Sequence, residues 1–154
     1  MLQQALDFKA ENDALCELLK PLSDADFERK TLFKDWTIND VMQHLHYFNY
    51  AAHLSLDDED GILKLLADLR AAGEKGEEMV PYTDRMLDGV RGQALLKLWH
   101  DYYENMIGDY EGVDPKKRLK WAGPDMSVLS SVTARLMETW SHAQAIYDVL
   151  GTVR

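Results

Sequence analysis

Apolar residues recur every three or four positions along four stretches of this chain, and each stretch predicts an amphipathic helix. Leu2 to Lys20 carries Leu2, Leu6, Leu15, Leu18 and Leu19, and Pro21 closes it. Ile38 to about Leu56 carries Ile38, Val41, Leu45, Phe48, Ala52 and Leu56. Ahead of it, Thr37 with Asp40 three residues later is a variant of the capping box. Ala94 to Tyr110 places Leu95, Leu98, Tyr102, Met106 and Tyr110 on one side. The last helix runs through Thr133–Leu150, with Ser127 or Ser130 as its cap and Gly151 where a left-handed residue commonly stops a helix.

The connections are weaker in pattern. The acidic Asp57–Asp60 quartet, followed by Ile62, Leu63, Leu65, Leu66 and Leu69, suits a helix start, where its charge meets unpaired amides. It lacks the glycine and distal glutamate of a calcium loop. Gly73 to Gly92 holds Gly73, Gly76, Pro81, Gly89 and Gly92, and reads as a crossover with short helical turns. Gly112–Arg118 reads as a turn and Leu119–Asp125 as a loop at the mouth of a bundle, with no convincing alternating strand. The expected architecture is all-α: a four-helix bundle over residues 1–154 as one domain, with short helical turns in its connections.

Composition narrows the function. With 27 acidic against 17 basic residues the net charge is −10, which argues against nucleic acid or an anionic membrane as the main partner. Cys16 is the only cysteine, so no intrachain disulfide can form; together with the lack of a signal peptide this predicts a cytoplasmic protein. A small buried hydrophobe is the favoured reading of Cys16 over a reactive thiol. No apolar run reaches the roughly 18 residues of a membrane-spanning helix.

The chemistry gathers on the last helix, where Glu138 and His142 stand four apart and Arg135 joins their stripe. One face thus displays a cation, an anion and an imidazole. His44 on the second helix can add another nitrogen, while His46 is rotated roughly 200° from it. Two imidazoles and a carboxylate suit an open divalent-metal site: zinc so held keeps a coordination position for water or substrate, and can lower the pKa of bound water to about 7 or stabilise a thiolate. Nickel, iron or manganese tolerate the same ligands. The bland alternative is a surface Glu–His pair worth a few tenths of a kcal/mol beside a satisfied interior histidine. His100, among charged neighbours, reads as exposed or hydrogen-bonded.

The segments Asp35-Trp-Thr-Ile-Asn-Asp-Val-Met-Gln-His-Leu45 and Arg135-Leu-Met-Glu-Thr-Trp-Ser-His142 resemble the DinB/YfiT superfamily, in particular the metal-binding N-terminal domain of mycothiol-dependent maleylpyruvate isomerases. That family shows a Trp-Thr start to its second helix, a His-Leu eight residues after the Trp, and a Glu-x-x-x-His in its last helix. The resemblance implies His44 rather than His46 as the first metal ligand, with Glu138 and His142 as the second and third. It implies a small-molecule substrate and a low-molecular-weight thiol, in a thiol-dependent transferase or isomerase, or a hydrolase. Arg135 and the Trp121 loop are then candidates for binding an anionic substrate or the thiol. Isomerases of this group carry a second, C-terminal domain, and this chain ends at Arg154, so it is expected to be either a stand-alone metal-binding bundle or part of a longer protein. The alternative from another class is a non-catalytic bundle, a homodimerising or partner-binding module whose His and Glu are structural.

Overall fold

A computed structural model describes all residues, 1–154. In chain order the elements are α1 (Gln3–Leu19), α2 (Ile38–Asp57), α3 (Glu59–Glu74), α4 (Met79–Met86), α5 (Gly92–Gly108), β1 (Arg118–Trp121), β2 (Gly123–Ser127) and α6 (Val128–Leu150), with one 3-10 turn at Asp26–Glu28. Helices α1, α2, α5 and α6 form the bundle, each packed on two of the others, while α3 and α4 lie along the outside of α2.

The helix ends are set by local chemistry. Thr37 Oγ1 accepts from the Asp40 amide at 3.1 Å and the Asp40 carboxylate accepts from the Thr37 amide at 2.8 Å, the reciprocal capping box. Asp58 caps α3 by accepting from the Gly61 amide at 2.9 Å. A Cβ at Gly61 would stand 2.3 Å from that carboxylate, so only glycine lets the cap approach. At α6 it is Ser127, not Ser130, that caps, and Gly151 ends the helix with φ of +70°.

The core has two main clusters. One joins Leu15 and Leu19 of α1, Val41, Met42 and Leu45 of α2, Trp99 of α5 and Ile146 of α6. The other joins Phe8, Leu56, Met106, Val132 and Leu119. Each such side chain, fully buried, contributes about 1.5–3 kcal/mol relative to exposure. A smaller cluster of Tyr47, Ala51, Ile62, Leu65 and Tyr82 fastens α3 and α4 to α2.

Three expectations are corrected. The supposed loop 119–125 belongs to a two-stranded antiparallel ribbon, with Leu119 opposite Met126 and Trp121 opposite Gly123. Tertiary contacts hold it: Leu119 is buried, Ser55 Oγ donates to the Lys120 carbonyl at 2.7 Å, and Lys117 Nζ donates to the Leu56 carbonyl at 2.7 Å. The crossover contains a full helix, α4, anchored by Tyr82. Two stripes are also rotated: Leu6 and Leu98 face solvent, whereas Phe8, Trp99 and Tyr103 fill the interior.

Candidate metal centre

The second helix starts where it does because the preceding chain turns back sharply. Lys34 and Asp35 take φ of +52° and +58°, a conformation costly for non-glycine residues. The turn is closed by Thr31, whose amide and hydroxyl both donate to the Trp36 carbonyl, at 2.8 and 2.9 Å. It projects Phe33 and Trp36 over the face shared by α2 and α6. There the Trp36 ring lies parallel to His142, 3° between planes at 6.3 Å, and 5.4 Å from His44. Phe33 meets His142 edge-on at 5.2 Å, and Phe48 meets His44 at 4.7 Å.

Within this aromatic frame the structure brings His44, Glu138 and His142 together, with one potential ligand atom from each lying within 4.8 Å of the others. Glu138 Oε2 is 3.2 Å from His142 Nε2 and 3.6 Å from His44 Nε2. Both histidine side chains are largely buried, at 12% and 14% exposure, while the carboxylate is 47% exposed and faces outward. The His142 and then the His44 imidazole hold the Glu138 carboxyl well below the usual carboxylate range. Burial pushes the His44 imidazole down, against the pull of Glu138. A neutral His44 imidazole and an ionised Glu138 carboxylate are the protonation states in which these two groups bind a metal, and with the His142 nitrogen beside them the residues present fit a divalent cation. His44 Nδ1 is buried with no hydrogen-bond partner, which departs from the usual support given to a ligand imidazole.

Arg135, one turn before Glu138, does not pair with it. The side chain is 3% exposed; its Nε donates to Asn49 Oδ1 at 3.1 Å, and its Nη2 is buried without a partner. Burial lowers its pKa to about 10, so it remains a cation at neutral pH. A cavity of about 270 Å³ opens beside the triad, lined by His44, Phe48, Trp121, Ala134, Arg135 and Glu138. The five residues singled out in the sequence thus lie near one another: His44, Glu138 and His142 as a cluster of donors, and His44, Glu138, Arg135 and Trp121 in the wall of the adjoining cavity.

The other histidines lie elsewhere. His46 is 5% exposed and meets Tyr102 edge-on at 5.3 Å; burial alone pulls its pKa to about 4. His53 joins the Tyr102 hydroxyl at 2.8 Å and Asp109 at 2.7 Å, and His100 lies 3.3 Å from Asp101. Cys16 is buried and its thiol is pushed up by burial, which is the inert reading. Sequence reasoning missed Phe33 and Asn49 as parts of this site, and read Trp36 only as a helix opener. Nothing in their spacing distinguishes them from other loop or core residues.

Residues 8–147 match the profile of the mycothiol maleylpyruvate isomerase N-terminal domain family. The chain belongs to that family. Two uncharacterised proteins from strains of Mycobacterium tuberculosis are 32% identical over 148 residues, covering 96% of this chain and 56% of each relative. The crystal structure of a mycothiol-dependent maleylpyruvate isomerase superposes with a TM-score of 0.67 at 14% identity, over 93% of this chain and 59% of that one. At that identity the match establishes the DinB-like helical fold alone. The chain thus spans little more than half the length of the proteins it resembles. No helix in it is long and apolar enough to cross a membrane.

Proposed function

We propose that this chain is the metal-holding unit of a thiol-dependent enzyme, a transferase, isomerase or hydrolase in which His44, Glu138 and His142 hold one divalent cation. Zinc suits two imidazoles and a carboxylate best, with nickel, iron and manganese as the other ions this donor set accepts. The observation that carries the reading is the convergence of three donor atoms within 4.8 Å beside a cavity that is also lined by Arg135, whose Nη2 is buried without a hydrogen-bond partner. A divalent cation supplies Lewis acidity there and lowers the pKa of whatever water or thiol reaches it.

The chain's own residues do the rest. Arg135, oriented by Asn49, binds the anionic group of the substrate or thiol by charge-assisted hydrogen bonds. Phe48 and Trp121 form the aromatic part of the cavity wall. Phe33 and Trp36 pack on the imidazoles and fix their ring planes. The cavity favours this reading over a non-catalytic bundle, whose interior would close over its histidines.

Elemental analysis of protein purified without chelator tests it: about one divalent ion per chain is expected. A metal-free protein that takes up no ion on titration would overturn the site. Thiol-dependent turnover of electrophilic substrates should disappear on chelation; turnover that survives excludes the role given to the metal.

A further inference from the structure

A second, larger cavity of about 510 Å³ runs along the outer face of α3, walled by Leu63, Leu66, Ala67 and Leu69 and by the Trp121–Gly123 turn of the β-ribbon. Its volume falls in the roughly 300–1,000 Å³ range of small-molecule sites. Trp121 is the one residue that lines both this trough and the metal-side cavity, so it stands at the boundary between the two spaces. The small side chains Ala67 and Ala122, with Gly123, leave the room. Leu63 is 46% exposed at a helix position where a polar residue would be the ordinary choice. Arg70 lines the trough and, alone among its residues, is charged; it makes no ion pair.

We propose that the trough is a tail subsite and that the ligand is an amphipathic carboxylate. Its carboxylate sits at Arg135, and its unbranched alkyl chain passes Trp121 into the space under Leu63, Leu66 and Leu69. The placement of the head rests on the function proposed above; the tail subsite rests on the trough. A protein partner is a poorer occupant, because a stable interface draws on about 20–30 residues a side and this trough is lined by 8. A hydroxyl-rich tail is poorer too, since few side chains here could replace its lost hydrogen bonds to water.

Calorimetric titration of the metal-loaded full chain with straight-chain carboxylates from butanoate to decanoate tests this. Affinity should rise about fourfold per added methylene, the increment expected for each buried CH₂. Leu63→Glu and Ala67→Glu, both at exposed positions of α3, should flatten that rise and leave metal content and melting temperature as in the parent. A parent chain that binds all lengths equally, or a rise that persists undiminished in both variants, overturns the subsite. Metal content reports separately on the centre: a protein that takes up no metal yet keeps the length dependence, and loses it in Ala67→Glu, refutes the proposed metal function and upholds the trough.

Discussion

At the scale of single residues the decisive group is Arg135. A buried cation with no carboxylate in contact is expensive, and one with only an asparagine carbonyl as a hydrogen-bond partner is an unusual use of a core position. Replacing it with a neutral side chain of similar length therefore separates stability from binding. Arg135→Met should leave the melting temperature unchanged or raised, because the desolvation cost disappears. Affinity for short carboxylates should fall tenfold or more, since hydrogen bonds to a charged group are worth about 1.5–3 kcal/mol. Titration calorimetry reads the second effect, and undiminished carboxylate affinity would remove Arg135 from the site. The histidines divide in the same manner. His142→Ala should abolish metal uptake and His46→Ala should not, because His46 packs against Tyr102; equal loss in both would mean the wrong imidazoles have been chosen.

At the scale of elements, the start of α2 is the part on which the centre most depends, because its cap and the turn before it aim Trp36 at both imidazoles. Thr37→Ala should cost about 1 kcal/mol, lowering the melting temperature by roughly 2–4 °C for a chain of this size, as followed by circular dichroism; no change would mean that Asp40 alone caps the helix. This cap was legible in the sequence, as were the buried positions Ile38, Val41, Leu45, Ala52 and Leu56 of α2; that Met42, His46, Tyr47 and Ala51 are buried as well was not, because α2 is covered on nearly all sides by other helices. The phase of α5 was not. Leu95, Leu96, Leu98, Trp99, Tyr102, Tyr103, Met106 and Ile107 supply apolar side chains on adjacent positions, so stripes about 100° apart fit equally well, and only the neighbouring helices decide between them. The β-ribbon was hidden for another reason. Its strands of four and five residues have no lasting alternation, and what orders them is long-range: Ser55, Leu56 and the pocket that takes Leu119. Trp121 could be named as a candidate from the sequence, but the ribbon that sets it in the walls of two cavities could not.

At the scale of the whole molecule, the three donors tie α2 to α6, so metal occupancy should appear as global stability. An ion that binds the folded chain and not the unfolded one, present at a hundredfold excess over its dissociation constant, adds about 2.7 kcal/mol. For a chain of this length that corresponds to a rise of roughly 5–11 °C in melting temperature. With a net charge of −10 the surface also attracts divalent cations without any specific site, so the control matters as much as the shift. Diffuse binding to exposed carboxylates is screened by salt and accepts magnesium or calcium as readily as zinc. A site built from two imidazoles and one carboxylate prefers zinc to either. Calorimetry at 0.15 M salt should therefore show a saturable rise with zinc, little with magnesium, and none with zinc in His142→Ala. A zinc-induced rise of equal size in that variant would place the ion on the acidic surface and leave the α2–α6 face a packed, metal-free contact.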